Sequence, residues 1–249
     1  MAKFGDGAKA SRVRVALPDE PSQRFIKRTG VVLQRGTHME GNVTALIFFK
    51  GSGLIWVYIA GAAKGSRRFG GALEPLVWGH YQLYQSKSRR TYIKEIEVTD
   101  DFWSLRTKPK AIIEAVQWTK LFKHHLILGF PYDDLLALFY WGLKALDAGV
   151  TPAVVTARLL WRWQYVWGIA PDLTSCSECG RPLDEHAHWN ENSFICDRCA
   201  GTSSNSMDIT EFAEYAFSRT FMLKNESDAL KRQAIKIKSL LLENLEHYK

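Results

Sequence analysis

From residue 25 to residue 98 the apolar positions come in short runs without helical spacing. The runs are FIKRTGVVL, NVTALIFFK, LIWVYIAG, WGHYQLYQS and TYIKEIEV. They are rich in Val, Ile, Thr and aromatic residues, the composition of half-buried strands. RGTHMEGN, GSG and SKSRR separate several of them with turn-forming residues. The last run alternates through Tyr92, Lys94, Ile96 and Val98. Five short antiparallel strands in about 75 residues predict a small barrel, since a sandwich needs about seven or more.

Past Asp100 the period becomes helical. PKAIIEAVQWTKLFKHHLI has Pro109 near its start and apolar Ile112, Ile113, Val116 and Leu121. PYDDLLALFYWGLKALDAG opens on Pro131 with acids in its first turn and closes at Gly149, as the helix dipole and the C′ position favour. TPAVVTARLLWRWQYVWG offers Thr151 as N-cap, Pro152 at N1 and Gly168 at C′. After a polar, cysteine-bearing segment, one helix is expected from about Asp208 to Leu223. A last one follows the cap Ser227, with Leu230, Ala234, Ile237, Leu241 and Leu245 as its packing stripe. The expected fold class is α+β. Residues 1–23 read as a basic, flexible N-terminal arm, 24–99 as the barrel, and 100–249 as a helical domain containing segment 176–199.

Charge changes this outline in one respect. Of the net +7, residues 1–99 carry 16 Lys/Arg against 7 Asp/Glu, and residues 100–249 carry 17 against 19. The whole excess lies on the barrel side, which points to a polyanionic partner there. The N-terminus has no apolar stretch of signal-peptide length, and no run reaches the ~18 apolar residues of a membrane span. A cytoplasmic protein is expected.

All four cysteines lie in CSECGRPLDEHAHWNENSFICDRC, as two C-x-x-C pairs, Cys176/Cys179 and Cys196/Cys199, sixteen residues apart. This is zinc-ribbon spacing, and four thiolates would fill a tetrahedral sphere with no position left for water. The expected cofactor is a structural Zn²⁺. Gly180 allows the sharp turn after Cys179. His186 and His188 are expected to be solvated loop residues. The segment has neither the H-x-E nor the P-C-x-x-C of a zinc deaminase. Its only cations are Arg181 and Arg198 against several acids, so it is expected to staple the fold rather than grip phosphate.

The barrel carries the candidate nucleic-acid contacts. Small five-stranded barrels bind single strands through a charged groove and aromatic faces. The basic set is Lys27, Arg28, Arg35, Lys64, Arg67, Arg68, Lys87, Arg89, Arg90 and Lys94, clustered in KGSRR and KSRR. Phe48, Phe49, Trp56 and Tyr58 are the aromatic candidates, with the core as the competing assignment for Trp56 and Tyr58. No P-loop, G-x-S-x-G, H-E-x-x-H or clustered D-x-D accompanies them, so no enzyme is expected.

GVVLQRG, AKGSRRFGGALEPL at 63–76 and GIAPDLTSCSECG at 168–180, in this order, resemble the RecO family of bacterial recombination mediators. The chain departs from that family at ENSFIC, where a glycine pair is common before the second knuckle. The resemblance implies an N-terminal OB-fold that binds single- and double-stranded DNA and anneals complementary strands in DNA damage repair. It implies work with RecR to load RecA onto DNA coated by single-strand-binding protein (SSB), with RecF acting in the same pathway. It also implies a helical domain that binds the acidic, apolar C-terminal tail of SSB, and a nucleoid-associated location. Some members of the family lack the cysteines, which fits a staple. The competing expectation is a zinc-ribbon adaptor or transcription-type protein that acts through protein contacts, its basic barrel incidental.

Overall fold

A computed structural model describes residues 25–37, 43–59, 69–86, 89–201 and 206–248. The chain forms two compact units. One holds the described residues up to Asp101 together with Leu126–Tyr132, and the other holds Phe102–His125 and the residues from Asp133 onward.

The first unit is a closed barrel of β1 (Phe25–Thr37), β2 (Val43–Phe49), β3 (Gly53–Ile59), β4 (Trp78–Gln85) and β5 (Thr91–Asp100), in the order β1-β2-β3-β5-β4. Every neighbouring pair is antiparallel except β3 with β5. The long β1 closes the barrel because its first half pairs with β4 and its second half with β2. Gly30 stands at that changeover, opposite both Phe49 and Gly79, where a Cβ would overlap the Phe48 carbonyl. Val32, Ala45, Ile47, Phe49, Ile55, Val57, Leu83 and Ile93 fill the interior. This is the expected five-stranded, OB-type barrel.

Residues 126–132 follow a helix in sequence yet pack with the barrel. The Gly129 amide donates to the Leu54 carbonyl at 3.0 Å. Gly53, at φ 66, lets the β2–β3 turn lie against the Phe130 backbone, where any Cβ would collide with that carbonyl.

The second unit is built from α1 (Pro109–His125), α2 (Asp133–Asp147), α3 (Pro152–Trp167), α5 (Thr210–Phe217) and α6 (Asp228–His247). A small sheet of β6 (Ala187–Asn190), β7 (Ser193–Cys196) and β8 (Ser206–Met207) and the one-turn α4 (Asp197–Ala200) stand between α3 and α5. Every residue of α3 from Val154 to Trp161 is buried, as befits a helix covered on all sides. Its Gln164 donates to the Leu241 carbonyl at 2.6 Å and accepts from Asn244 at 2.7 Å, tying α3 to α6 through buried polar groups. The expected α6 stripe is entirely buried, and Ser227 Oγ accepts from the Leu230 amide at 2.9 Å as a true N-cap.

Three expectations are corrected. The buried face of α1 runs through Ala111, Ala115, Trp118 and Phe122, leaving Ile113 exposed, because the alanines permit close approach and Trp118 Nε1 finds Thr156 Oγ1 at 3.1 Å. Thr151 stands at the N-cap of α3 as expected, but its side chain makes no capping bond; its amide instead donates to Glu226 Oε1 at 2.7 Å. Helix α5 stops at Phe217 because the next segment leaves the helix to present the Ser218 and Thr220 carbonyls to buried Arg158.

Candidate nucleic-acid interface and metal centre

The barrel spreads the described members of its basic set over several places. Lys27 and Arg28 line a groove of about 520 Å³ between β1, β4 and β5, with Thr29, His80, Glu95 and Glu97 also on its walls. The glutamates give this groove mixed charge. Arg28 Nε donates to Ser52 Oγ at 3.1 Å, and Thr29 Oγ1 lies 2.9 Å from His80 Nδ1. Arg35 forms an exposed ion pair with Glu74 at 3.3 Å. Arg89 and Arg90 are exposed in the β4–β5 connection, and Lys94 projects from β5. Lys64, Arg67, Arg68 and Lys87 lie outside the described residues.

Phe48 and Phe49 are fully buried, which removes them from the stacking candidates. They occupy adjacent positions in β2, a strand buried at all seven positions and so lacking a solvent face. Trp56 and Tyr58 lie on the partly exposed face of β3. Tyr58 does not stand alone. Pairing register sets Phe25 opposite Tyr84, Tyr84 opposite Tyr92 and Tyr92 opposite Tyr58. The ring centroids along this row are 6.4, 5.2 and 5.7 Å apart. The guanidinium of Arg90 rests 5.4 Å from the Tyr58 ring centre, and Lys94 Nζ rests 4.5 Å from that of Phe25. No local pattern announces this row, because it depends on the pairing register of four strands. The expected alternation in β5 fails because register skips Lys94 between Ile93 and Glu95, a bulge that turns Ile96 back onto the core.

The four cysteines converge as their spacing predicts. All four sulfurs lie within 4.8 Å of one another, and Cys179 Sγ is 3.7 Å from Cys196 Sγ. A tetrahedral ion held at about 2.3 Å would set sulfurs about 3.8 Å apart, so the donor set fits a thiolate-bound dication. Gly180, at φ 69, closes the first knuckle, its amide donating to the Cys176 carbonyl at 2.9 Å. The second knuckle needs no glycine pair: β7 runs to Cys196, and α4 begins directly after it and carries Cys199. The β6–β7 hairpin turns through Glu191 and Asn192, both at positive φ. Burial pushes the Cys176 thiol up, but amides of Cys196, Cys179 and Glu178 outweigh it and bring it down to about 6. Cys199 is pushed up to about 12, first by hydrogen bonding with Cys179 and then by burial and by its other thiol neighbours. The resistance of Cys199 to ionising beside the other three sulfurs is what a central cation relieves. His186 is exposed as expected. His188 departs from expectation: it is buried, and its Nε2 lies 2.8 Å from Asp197 Oδ1.

The helical unit holds a second cationic place that the sequence did not disclose. Arg158, Arg162, Arg219 and Phe221 face Leu138 and Trp141 around a groove of about 460 Å³. Arg158 is 2% exposed, lies between the rings of Tyr215 and Phe221, and donates to the Ser218 and Thr220 carbonyls. Burial pulls its pKa below the ordinary value. Among the described residues no carboxylate forms an ion pair with any of these three arginines. An anion with an apolar neighbour suits the groove.

Two family models match the chain. "Recombination protein O N terminal" covers residues 24–102, the barrel, and "Recombination protein O C terminal" covers residues 129–240. The chain belongs to the RecO family. Relatives named DNA repair protein RecO support the assignment along most of its length. The one from Exiguobacterium sibiricum is 28% identical over 218 residues, 83% of this chain and 87% of the relative. That from Anaeromyxobacter sp. (strain K) is 30% identical over 180 residues, 70% of each chain. That from Bacillus subtilis is 26% identical over 175 residues, 70% of this chain and 68% of the relative. The C-terminal RecO match contains the four cysteines and the arginine groove, whereas the N-terminal match contains the aromatic row. No helix among the described residues is long and apolar enough to cross a membrane.

Proposed function

We propose that this RecO-family chain is a non-enzymatic mediator of DNA repair and homologous recombination. It binds single- and double-stranded DNA through the barrel and anneals complementary strands. With RecR, it helps load RecA onto SSB-coated single strands. One observation carries the reading: the matched N-terminal domain is an OB-type barrel on which the chain's whole basic excess is concentrated. The described Lys27, Arg28, Arg35, Arg89, Arg90 and Lys94, and the undescribed Lys64, Arg67, Arg68 and Lys87, are its phosphate contacts. Such a protein works in the cytoplasm, at the nucleoid.

The other roles follow from the second unit. Cys176, Cys179, Cys196 and Cys199 hold a structural zinc, because four thiolates leave no position for a reacting water. The groove at Trp141, Arg162 and Arg219 takes the acidic, apolar C-terminal tail of SSB, its carboxylates supplying the counter-charge the arginines lack.

Fluorescence-monitored annealing of two complementary oligonucleotides, bare and SSB-coated, tests the proposal. Acceleration on both substrates is expected. A protein that neither binds nor anneals DNA, while still binding partner proteins through residues 100–249, would instead be an adaptor.

A further inference from the structure

The aromatic row on the barrel has a feature that ordinary surface rings lack. It is one continuous register line across four strands, from Phe25 through Tyr84 and Tyr92 to Tyr58. Its central pair is stacked with only 14° between ring planes. Phe25 is 39% exposed, and the three tyrosines are half-buried at the surface. Each end carries a cation resting on a ring: Arg90 over Tyr58 and Lys94 over Phe25. A cation and an aromatic ring are thus paired at each end of the row.

We infer that this row is the single-strand-specific part of the DNA site, and that Arg90 and Lys94 are placeholders on the terminal rings. The inference rests on the DNA-binding reading above and names the residues that distinguish single strands from duplex. An exposed cation–π contact is weaker than the stacking of a base on an aromatic ring. An unpaired base therefore displaces the cation from Tyr58 or Phe25, and the released cation moves to the adjoining phosphate. Each base bound exchanges a weak cation–ring contact for a stacking contact and a phosphate contact. A duplex presents phosphates but keeps its base faces stacked inside, so it engages Arg90 and Lys94 without the rings. The cations at the two ends of the row match a polyanion.

The test uses full-length protein, a labelled oligo-dT and a blunt duplex of equal length, with binding read by fluorescence anisotropy. Phe25→Leu and Tyr58→Leu keep apolar bulk and remove the ring face. The double variant should bind oligo-dT on the order of tenfold or more weakly, with duplex affinity changed less than about twofold. Arg90→Gln should weaken both and reduce the salt dependence of both. Circular dichroism melts confirm folding. If the folded double leucine variant binds oligo-dT like the parent, or loses duplex binding equally, the row is not the discriminating surface. A parent protein that binds neither DNA would overturn the DNA reading itself, a separate outcome.

Discussion

The sulfurs of Cys179 and Cys196 lie 3.7 Å apart although sixteen residues separate them in the chain. The β6–β7 hairpin returns the chain to the first knuckle, with Ala187 paired opposite Cys196. An interior of Cys176, Cys196, Ile195 and a few flanking apolar groups is too small to hold that hairpin alone. Metal binding at such a site contributes folding free energy of roughly 10 kcal/mol or more in small knuckles. Chelation, or Cys196→Ser, should lower the melting temperature of the helical unit while folded protein keeps its DNA affinity. Cobalt substitution should show the charge-transfer spectrum of four thiolates.

Gln164 and Asn244 form the buried polar bridge between α3 and α6. Gln164→Leu would leave the Leu241 carbonyl and the Asn244 amide without that partner, costing about 2–3 kcal/mol. Adding Asn244→Leu should cost less than the sum of the two single changes. A double-mutant cycle in urea measures the coupling, and strict additivity would refute it.

Arg158 anchors the segment after α5 through two carbonyls. Arg158→Met keeps bulk but removes these bonds and should cost about 2–4 kcal/mol, with faster amide exchange at 217–222. Arg219→Ala, exposed in the same groove, should change stability by less than about 0.5 kcal/mol yet weaken binding of an acidic, apolar-ended peptide. Calorimetry with such a peptide separates the two effects.

Gly53→Ala meets two obstacles, a positive φ and the Phe130 carbonyl. Stability should fall by more than the roughly 1 kcal/mol of backbone strain alone, with exchange rising at 126–132. Gly51, also at positive φ but with open space around it, should tolerate alanine at about that smaller cost.

Charge reversal at Arg89 and Arg90 should weaken oligonucleotide binding and flatten its salt dependence by about one unit of log–log slope per lost phosphate contact. Affinities measured at two salt concentrations decide this. Reversal of Arg35 should matter less, because Glu74 already pairs with it.

What could be read from the chain follows the range of the forces involved. The five strands rest on short β-branched and aromatic runs, several bounded by turn residues, the α6 stripe on a local period of 3.6, and the Ser227 cap on a bond three residues long. The two C-x-x-C pairs announce their ion because each knuckle is a local turn. These features the sequence by itself determined. The buried face of α1 was hidden, since Ala111 and Ala115 carry little apolar signal but let neighbours approach most closely. Arg158 carries no local signal of its role, because the Tyr215 ring of α5 and the Phe221 ring and two carbonyls beyond α5 enclose it. The row from Phe25 to Tyr58 depends on the register of four strands, and a bulge at Lys94 breaks the alternation that would have announced it. Those assignments belong to the tertiary structure alone, because pairing register and burial by distant segments are long-range properties that no local period encodes.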